Sequence, residues 1–144
     1  MKRLINTLLL TLSLLVFFPM SACADGRVIP FNDLPAEAQS FIKTHFANVG
    51  VLQVTKDFSE YEVLLADKSK LEFDRSGNWK DVNCRGGAVP ESAIPSRIQG
   101  YVKGNFPTDS VRSIERNTRG YEVKLSSGFE LKFDKNCNFK RLDD

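Results

Sequence analysis

Apolar and polar residues alternate in two blocks that resemble each other. Tyr61, Val63 and Leu65 are separated by Glu62 and Leu64, and Leu71 and Phe73 by Glu72. Tyr121, Val123 and Leu125 are separated by Glu122 and Lys124, and Leu131 and Phe133 by Lys132. Period two with one wet side predicts half-buried strands. The second block follows the first at an offset of sixty positions (61 to 121, 71 to 131), and that offset holds without a gap from Val28 to Cys84. Ile29-Pro30 falls on Val89-Pro90, Leu34-Pro35 on Ile94-Pro95, Phe46 on Phe106, and Asn78-Trp79-Lys80 on Asn138-Phe139-Lys140. A period of this length predicts a fold built from two copies of one unit.

Ahead of each block the spacing changes. Leu34, Ala38, Phe41, Ile42 and Phe46 follow i, i+4, i+7, i+8, i+12, and Ile94, Ile98, Tyr101, Val102 and Phe106 do the same. Each set is one apolar stripe on a polar helix. Pro35 and Pro95 suit the first helical position, where a missing N–H costs nothing. Val51 to Phe58 and Val111 to Thr118 read as the first strand of each unit. Links such as Ser59-Glu60, Ala66-Asp67-Lys68, Arg119-Gly120 and Ser126-Ser127-Gly128 are short and turn-like, as between antiparallel neighbours. The expected fold is α+β: a helix laid across a four-stranded antiparallel meander over residues 28–84, repeated over 88–144. A unit of about 60 residues is marginal alone. The short linker Arg85-Gly86-Gly87-Ala88 forces the copies to touch, so the two sheets are expected to be joined.

Residues 1–24 stand apart from this pattern. Lys2 and Arg3 precede an apolar run from Leu8 to Phe18, and Ala22-Cys23-Ala24 supplies small residues in an A-x-A arrangement. This reads as a secretory signal peptide cleaved after Ala24. The run is too short for a membrane span, which needs about 20 residues. The alternative is a lipobox, Met20-Ser21-Ala22-Cys23, with a lipid anchor on Cys23. The A-x-A match is complete and the lipobox is not, because Met20 stands where Leu is usual, so a free periplasmic protein is the preferred expectation.

Removing the leader changes the charge. It carries Lys2 and Arg3 and no acid, so 20 basic residues become 18, equal to the 18 acidic ones. A nucleic-acid binder needs a basic excess, and there is none. The charge is uneven: residues 25–84 hold 7 basic and 10 acidic side chains, and residues 85–144 hold 11 and 8. Chance together with mutual attraction of the halves is the preferred reading, and a polar partner surface is the alternative.

Without Cys23 the chain keeps Cys84 and Cys137. A pair of cysteines in an exported protein suggests a disulfide. Cys84 lies past the last strand of the first unit and Cys137 in the turn before the last strand of the second. Those two places are a strand length apart, about 20 Å at ~3.3 Å per residue. They meet only if the final strands of both units run side by side and antiparallel, at the centre of an eight-stranded sheet. Two free thiols is the competing reading. A redox role lacks a Cys-x-x-Cys.

Chemistry is sparse. His45 is the one histidine, near the end of a helix, and reads as a surface or edge residue. No His/Cys cluster has zinc spacing. Asp74-x-Ser76-x-Asn78 and Asp134-x-Asn136-x-Asn138 alternate oxygen side chains as a calcium loop does, but they lack its bidentate Glu and flanking helices, and read as turn chemistry. Trp79, Phe139, Tyr61 and Tyr121 read as packing under the helices; the alternative is an aromatic row on the open sheet face. No metal, cofactor or catalytic set is expected.

Taken together, Tyr-Glu-Val-x-Leu, Leu-x-Phe-Asp, Gly77-Asn78-Trp79-Lys80 and the paired Val/Ile-Pro lead-ins resemble those of the PepSY-like proteins, small exported proteins of Gram-negative gut bacteria, over essentially all of residues 28–144. That family is described as similar to the beta-lactamase inhibitory protein, which grips its enzyme with the open concave face of its sheet. The resemblance implies a periplasmic location, helix-plus-sheet repeats and no enzymatic activity. No inhibitory contact motif carries over to this chain. The expected function is a non-enzymatic periplasmic protein-binding module, an inhibitor of an exported hydrolase being its specific form and another periplasmic or envelope protein its partner. The alternative is a small-ligand or metal-binding cell-envelope protein. Strand parity places Glu62, Leu64, Glu72, Glu122, Lys124 and Lys132 on the open face as the expected partner-binding set.

Overall fold

The computed structural model describes residues 26–144. The expected signal peptide and the anchor position Cys23 lie outside the described residues. The chain opens with a two-residue strand, β1 (Arg27–Val28), and a 3-10 turn, Phe31–Asp33, that leads into α1 (Ala36–His45). β2 (Val51–Lys56), β3 (Glu60–Leu65), β4 (Lys70–Asp74) and β5 (Trp79–Asn83) follow. A second 3-10 turn, Glu91–Ala93, then leads into α2 (Ser96–Asn105), β6 (Val111–Asn117), β7 (Gly120–Leu125), β8 (Glu130–Phe133) and β9 (Phe139–Asp143).

All nine strands form one antiparallel sheet in the order of the chain, β1 to β9. This corrects the expected α+β architecture of two helix-plus-four-stranded units. The molecule is mostly β, with one sheet and two short helices. The physical reason lies at β5 and β6, which pair directly through Asp81↔Glu115, Val82↔Ile114 and Asn83↔Ser113. With that seam hydrogen-bonded there is no separate four-stranded sheet, and β1 adds a further edge strand on β2.

The same order overturns the arrangement in which the two final strands lie side by side. β5 pairs with β6, and β9 is the far edge. Cys84 follows β5 and donates its N–H to Arg112 O at 2.9 Å, while Cys137 sits in the turn between β8 and β9. β5 and β8 run in opposite directions, so these two places lie at opposite ends of the sheet. They are also three strands apart, roughly 14 Å at ~4.8 Å per strand. A disulfide needs Cα atoms within about 7 Å. Both cysteines are free.

Both apolar stripes cover one face of the sheet. Ala38, Ile42, Ile98 and Val102 are buried from the helices, against Val63, Leu71, Phe73, Ile114, Val123 and Leu131 from the strands. Phe41 meets Phe73 edge-on at 5.7 Å, and Tyr101 meets Phe133 edge-on at 5.5 Å. Burying each such side chain contributes about 1.5–3 kcal/mol. The four aromatics singled out above lie on this side: Tyr61 is buried, Trp79 and Tyr121 are half-buried, and Phe139 stacks on Tyr101 at 4.6 Å while keeping an exposed edge. Pro35 is the cap of α1 and not its first helical residue. The helix start is tied instead by Gln39 Nε2, which donates to Leu34 O at 2.8 Å. Gly77, with φ +89°, lets the β4–β5 turn press on that start; a Cβ there would stand 2.7 Å from Pro35 Cβ.

Candidate partner-binding face

The helices leave the other face of the sheet uncovered, and alternation fills it with polar side chains. The register lines them up across the strands. Glu62 faces Glu72, Glu72 faces Asp81, Asp81 faces Glu115, and Glu115 faces Glu122. Five carboxylates thus form one unbroken row over β3 to β7, and the row continues into Lys132 and Arg141. Cross-strand neighbours have Cβ atoms about 4.5–5.5 Å apart, and like charges placed so are destabilising.

Lysines relieve the two ends of the row. Lys70 Nζ reaches Glu62 at 2.9 Å and Glu72 at 3.2 Å. Lys132 Nζ lies 3.9 Å from Glu122, 3.6 Å from Glu130 and 3.2 Å from Asp143. Lys124 lies 3.8 Å from Glu130. The centre is different. Among the described residues neither Asp81 nor Glu115 has an ion-pair partner. Burial, and then the charges of Glu72 and Glu115, push the Asp81 carboxyl up to about 6. A groove of about 520 Å³ opens over this point, lined by Glu72, Lys80, Asp81, Glu115, Arg116, Asn117 and Thr118.

All six residues expected from parity lie on this face. They form two groups. Glu62, Leu64 and Glu72 surround Lys70 on one side, and Glu122, Lys124 and Lys132 stand on the other. β5 and β6 separate the groups and supply Asp81 and Glu115, which sequence reasoning missed. Alternation outward from Ile114 could have found Glu115. Asp81 was hidden by the irregularity in β5, where Glu72 faces Asp81 but Phe73 faces Trp79.

The remaining candidates are occupied. Asp74 Oδ1 accepts the Ser76 and Asn78 N–H groups at 2.9 Å each, and Asp134 Oδ1 accepts those of Asn136 and Asn138 at 2.8 and 2.9 Å. These oxygens terminate turns and face backbone donors. Hydrogen bonds from the Asn138 backbone and side chain hold Asp134 below the usual carboxylate range. His45 Nδ1 lies 2.8 Å from Ser92 Oγ, and burial lowers its pKa. No carboxylate hydrogen-bonds that ring among the described residues, so a nucleophile-activating triad is not assembled there. No group of three His, Cys, Asp or Glu side chains converges enough to hold a metal among the described residues. No helix among them is long and apolar enough to cross a membrane.

Comparison with known proteins bears on family and fold. Residues 20–65 and 59–141 match the family described as "Putative beta-lactamase-inhibitor-like, PepSY-like". No curated protein matches the chain. A crystal structure from Bacteroides vulgatus, described as a "putative periplasmic protein" of the DUF2874 family, superposes with a TM-score of 0.79 at 41% identity, covering 85% of this chain and 99% of that one. One from Bacteroides thetaiotaomicron, described as a "putative calcium-regulated periplasmic protein", gives 0.79 at 42% identity, covering 83% and 98%. A third, from Bacteroides vulgatus and described as a "putative periplasmic protein of unknown function", gives 0.76 at 36%, covering 83% and 99%. None of these descriptions indicates a catalytic family. The protein is periplasmic, and with matches across nearly its whole length it belongs to the PepSY-like family.

Proposed function

We propose that this protein is a non-enzymatic periplasmic binding module that holds a partner protein through a Lys- or Arg-bearing segment laid on the open sheet face. The observation that carries the reading is the carboxylate row, with Asp81 and Glu115 at its centre without an ion-pair partner among the described residues and Lys70 and Lys124 acting on Asp81 only from farther off. A partner cation placed there would replace like-charge repulsion with an ion pair in a partly desolvated groove. The six parity residues, Glu62, Leu64, Glu72, Glu122, Lys124 and Lys132, would frame it, with Leu64 supplying an exposed apolar contact. The family description supports one specific form, inhibition of an exported hydrolase. The test is cross-linking and pull-down from periplasm with the native protein and the Glu72→Lys/Glu115→Lys variant. A partner kept by the first and released by the second, cross-linked through a basic segment, supports the reading. Equal retention by both refutes it.

The second reading is calcium binding. It is favoured by the description of the 42% identical relative as calcium-regulated and by the same acidic row. Calcium takes six to eight oxygen ligands, so the carboxylates would have to converge on binding. A calcium titration followed by melting temperature separates the readings, because a ligand of the native state raises it. An unchanged melting temperature at millimolar calcium excludes this one.

A further inference from the structure

The two halves handle one lysine differently. Lys80 and Lys140 occupy equivalent places, each the extra residue where the register of its unit's last strand slips: Glu72/Phe73 against Asp81/Trp79, and Lys132/Phe133 against Arg141/Phe139. Lys80 Nζ is held by Glu60 Oε2 at 2.6 Å. Sixty positions on, Glu60 is replaced by Gly120 and Ser59 by Arg119. The carboxylate is gone and a cation has been added. A cavity of about 150 Å³ lies there, lined by Arg119, Gly120, Lys132, Lys140 and Arg141 among others.

The gap is built into the backbone. Gly120 has φ +144°, and a Cβ on it would stand 2.0 Å from Phe133 O, so no side chain can reach in from this position. Lys132 and Arg141 are shared with Asp143, at 3.2 and 3.4 Å. Glu122 also lines the cavity and is 3.9 Å from Lys132. Arg119 and Lys140 have no ion-pair partner among the described residues; Lys140 acts on Asp134 only from beyond ion-pair distance.

We infer that this cavity is a binding site for a small oxyanion of the phosphate class, seated where the Glu60 carboxylate sits in the first half. Two unpaired cations favour a doubly charged group over a monocarboxylate, and the Arg fork suits its oxygens. Gly120 is itself buried and lines the cavity without any side chain of its own. The site borders the end of the acidic row, sharing Glu122 and Lys132 with it, but Arg119 and Lys140 lie outside that row and the inference does not depend on the partner reading above.

The test is an amide chemical-shift titration of the exported protein with inorganic phosphate at constant ionic strength. Saturable shifts at Gly120 and Tyr121, weakened at least tenfold in Arg119→Gln/Lys140→Gln and unchanged in the charge-matched Arg85→Gln/Lys43→Gln, are expected. Acetate should bind at least fivefold more weakly. No saturable shift, equal shifts in the Arg119→Gln/Lys140→Gln variant, or equal binding of acetate overturns the inference. Two further arms identify the source of the phosphate. Soluble glycerol phosphate binding without vesicle retention assigns a free phosphoester. Retention on phosphatidic-acid vesicles that the double variant loses assigns a lipid headgroup.

Discussion

Asp81→Asn removes one charge from the centre of the acidic row and keeps its shape. In the folded protein the Asp81 carboxyl titrates at about 6, against an ordinary value of 3.8, because it is partly desolvated and faces Glu72 and Glu115. A folded-state pKa raised above the unfolded one gives stability that is present below the unfolded value and lost as the pH rises through the folded one. The window is therefore pH 4 to 6. A shift of about two units is worth at most about 3 kcal/mol at 1.36 kcal/mol per unit. The group keeps some solvent contact, so screening reduces this to about 1–2 kcal/mol. The substitution should thus stabilise the protein by about 1–2 kcal/mol at pH 8, or roughly 4–8 °C in melting temperature, and by nearly nothing at pH 4. The new amide can also donate to the neighbouring carboxylates, which adds to the gain. Urea unfolding at pH 4, 6 and 8 with both proteins measures the difference. A gain of the same size at all three pH values, or a loss at pH 8, would refute the charge argument. If the row is the binding face, the same variant should weaken partner retention while it raises stability, the trade expected where a site stores repulsion for a ligand to relieve.

Three further outcomes follow from the packing. Phe73→Ala should cost about 3–5 kcal/mol in chemical denaturation, because Phe73 is fully buried against Phe41 and cannot be replaced by water. Gly77→Ala should cost about 2 kcal/mol or more in thermal unfolding, since it adds a Cβ 2.7 Å from Pro35 and asks Ala to hold φ +89°; an unchanged melting temperature would show that the turn does not press on α1. Ellman's reagent should find two reactive thiols in the unfolded, non-reduced exported protein and only Cys137 in the native one, because Cys84 is buried and burial raises its pKa; a single or absent thiol on unfolding would contradict the sheet order.

Facing was legible in the sequence because it is a local property. Alternation alone says that Val63, Leu71, Val123 and Leu131 turn one way and Glu62, Glu72, Glu122 and Lys132 the other, and the structure leaves the first four without exposure. The helix stripes are local too: Ala38 and Ile42, or Ile98 and Val102, must share a face at 3.6 residues per turn, whatever lies beneath. Neighbours are another matter. Period two states which side of a sheet a residue takes and nothing about which strand lies beside it. Only the tertiary structure put β5 against β6, and that one pairing decided the rest. It joined the two halves through β5 and β6 where their two final strands were expected side by side, set Asp81 against Glu115, completed the carboxylate row, and sent Cys84 and Cys137 to opposite ends. The physical reason is that strand pairing is made by backbone hydrogen bonds, whose donors and acceptors are the same at every residue, so the choice of partner rests on how the whole buried face closes over the helices.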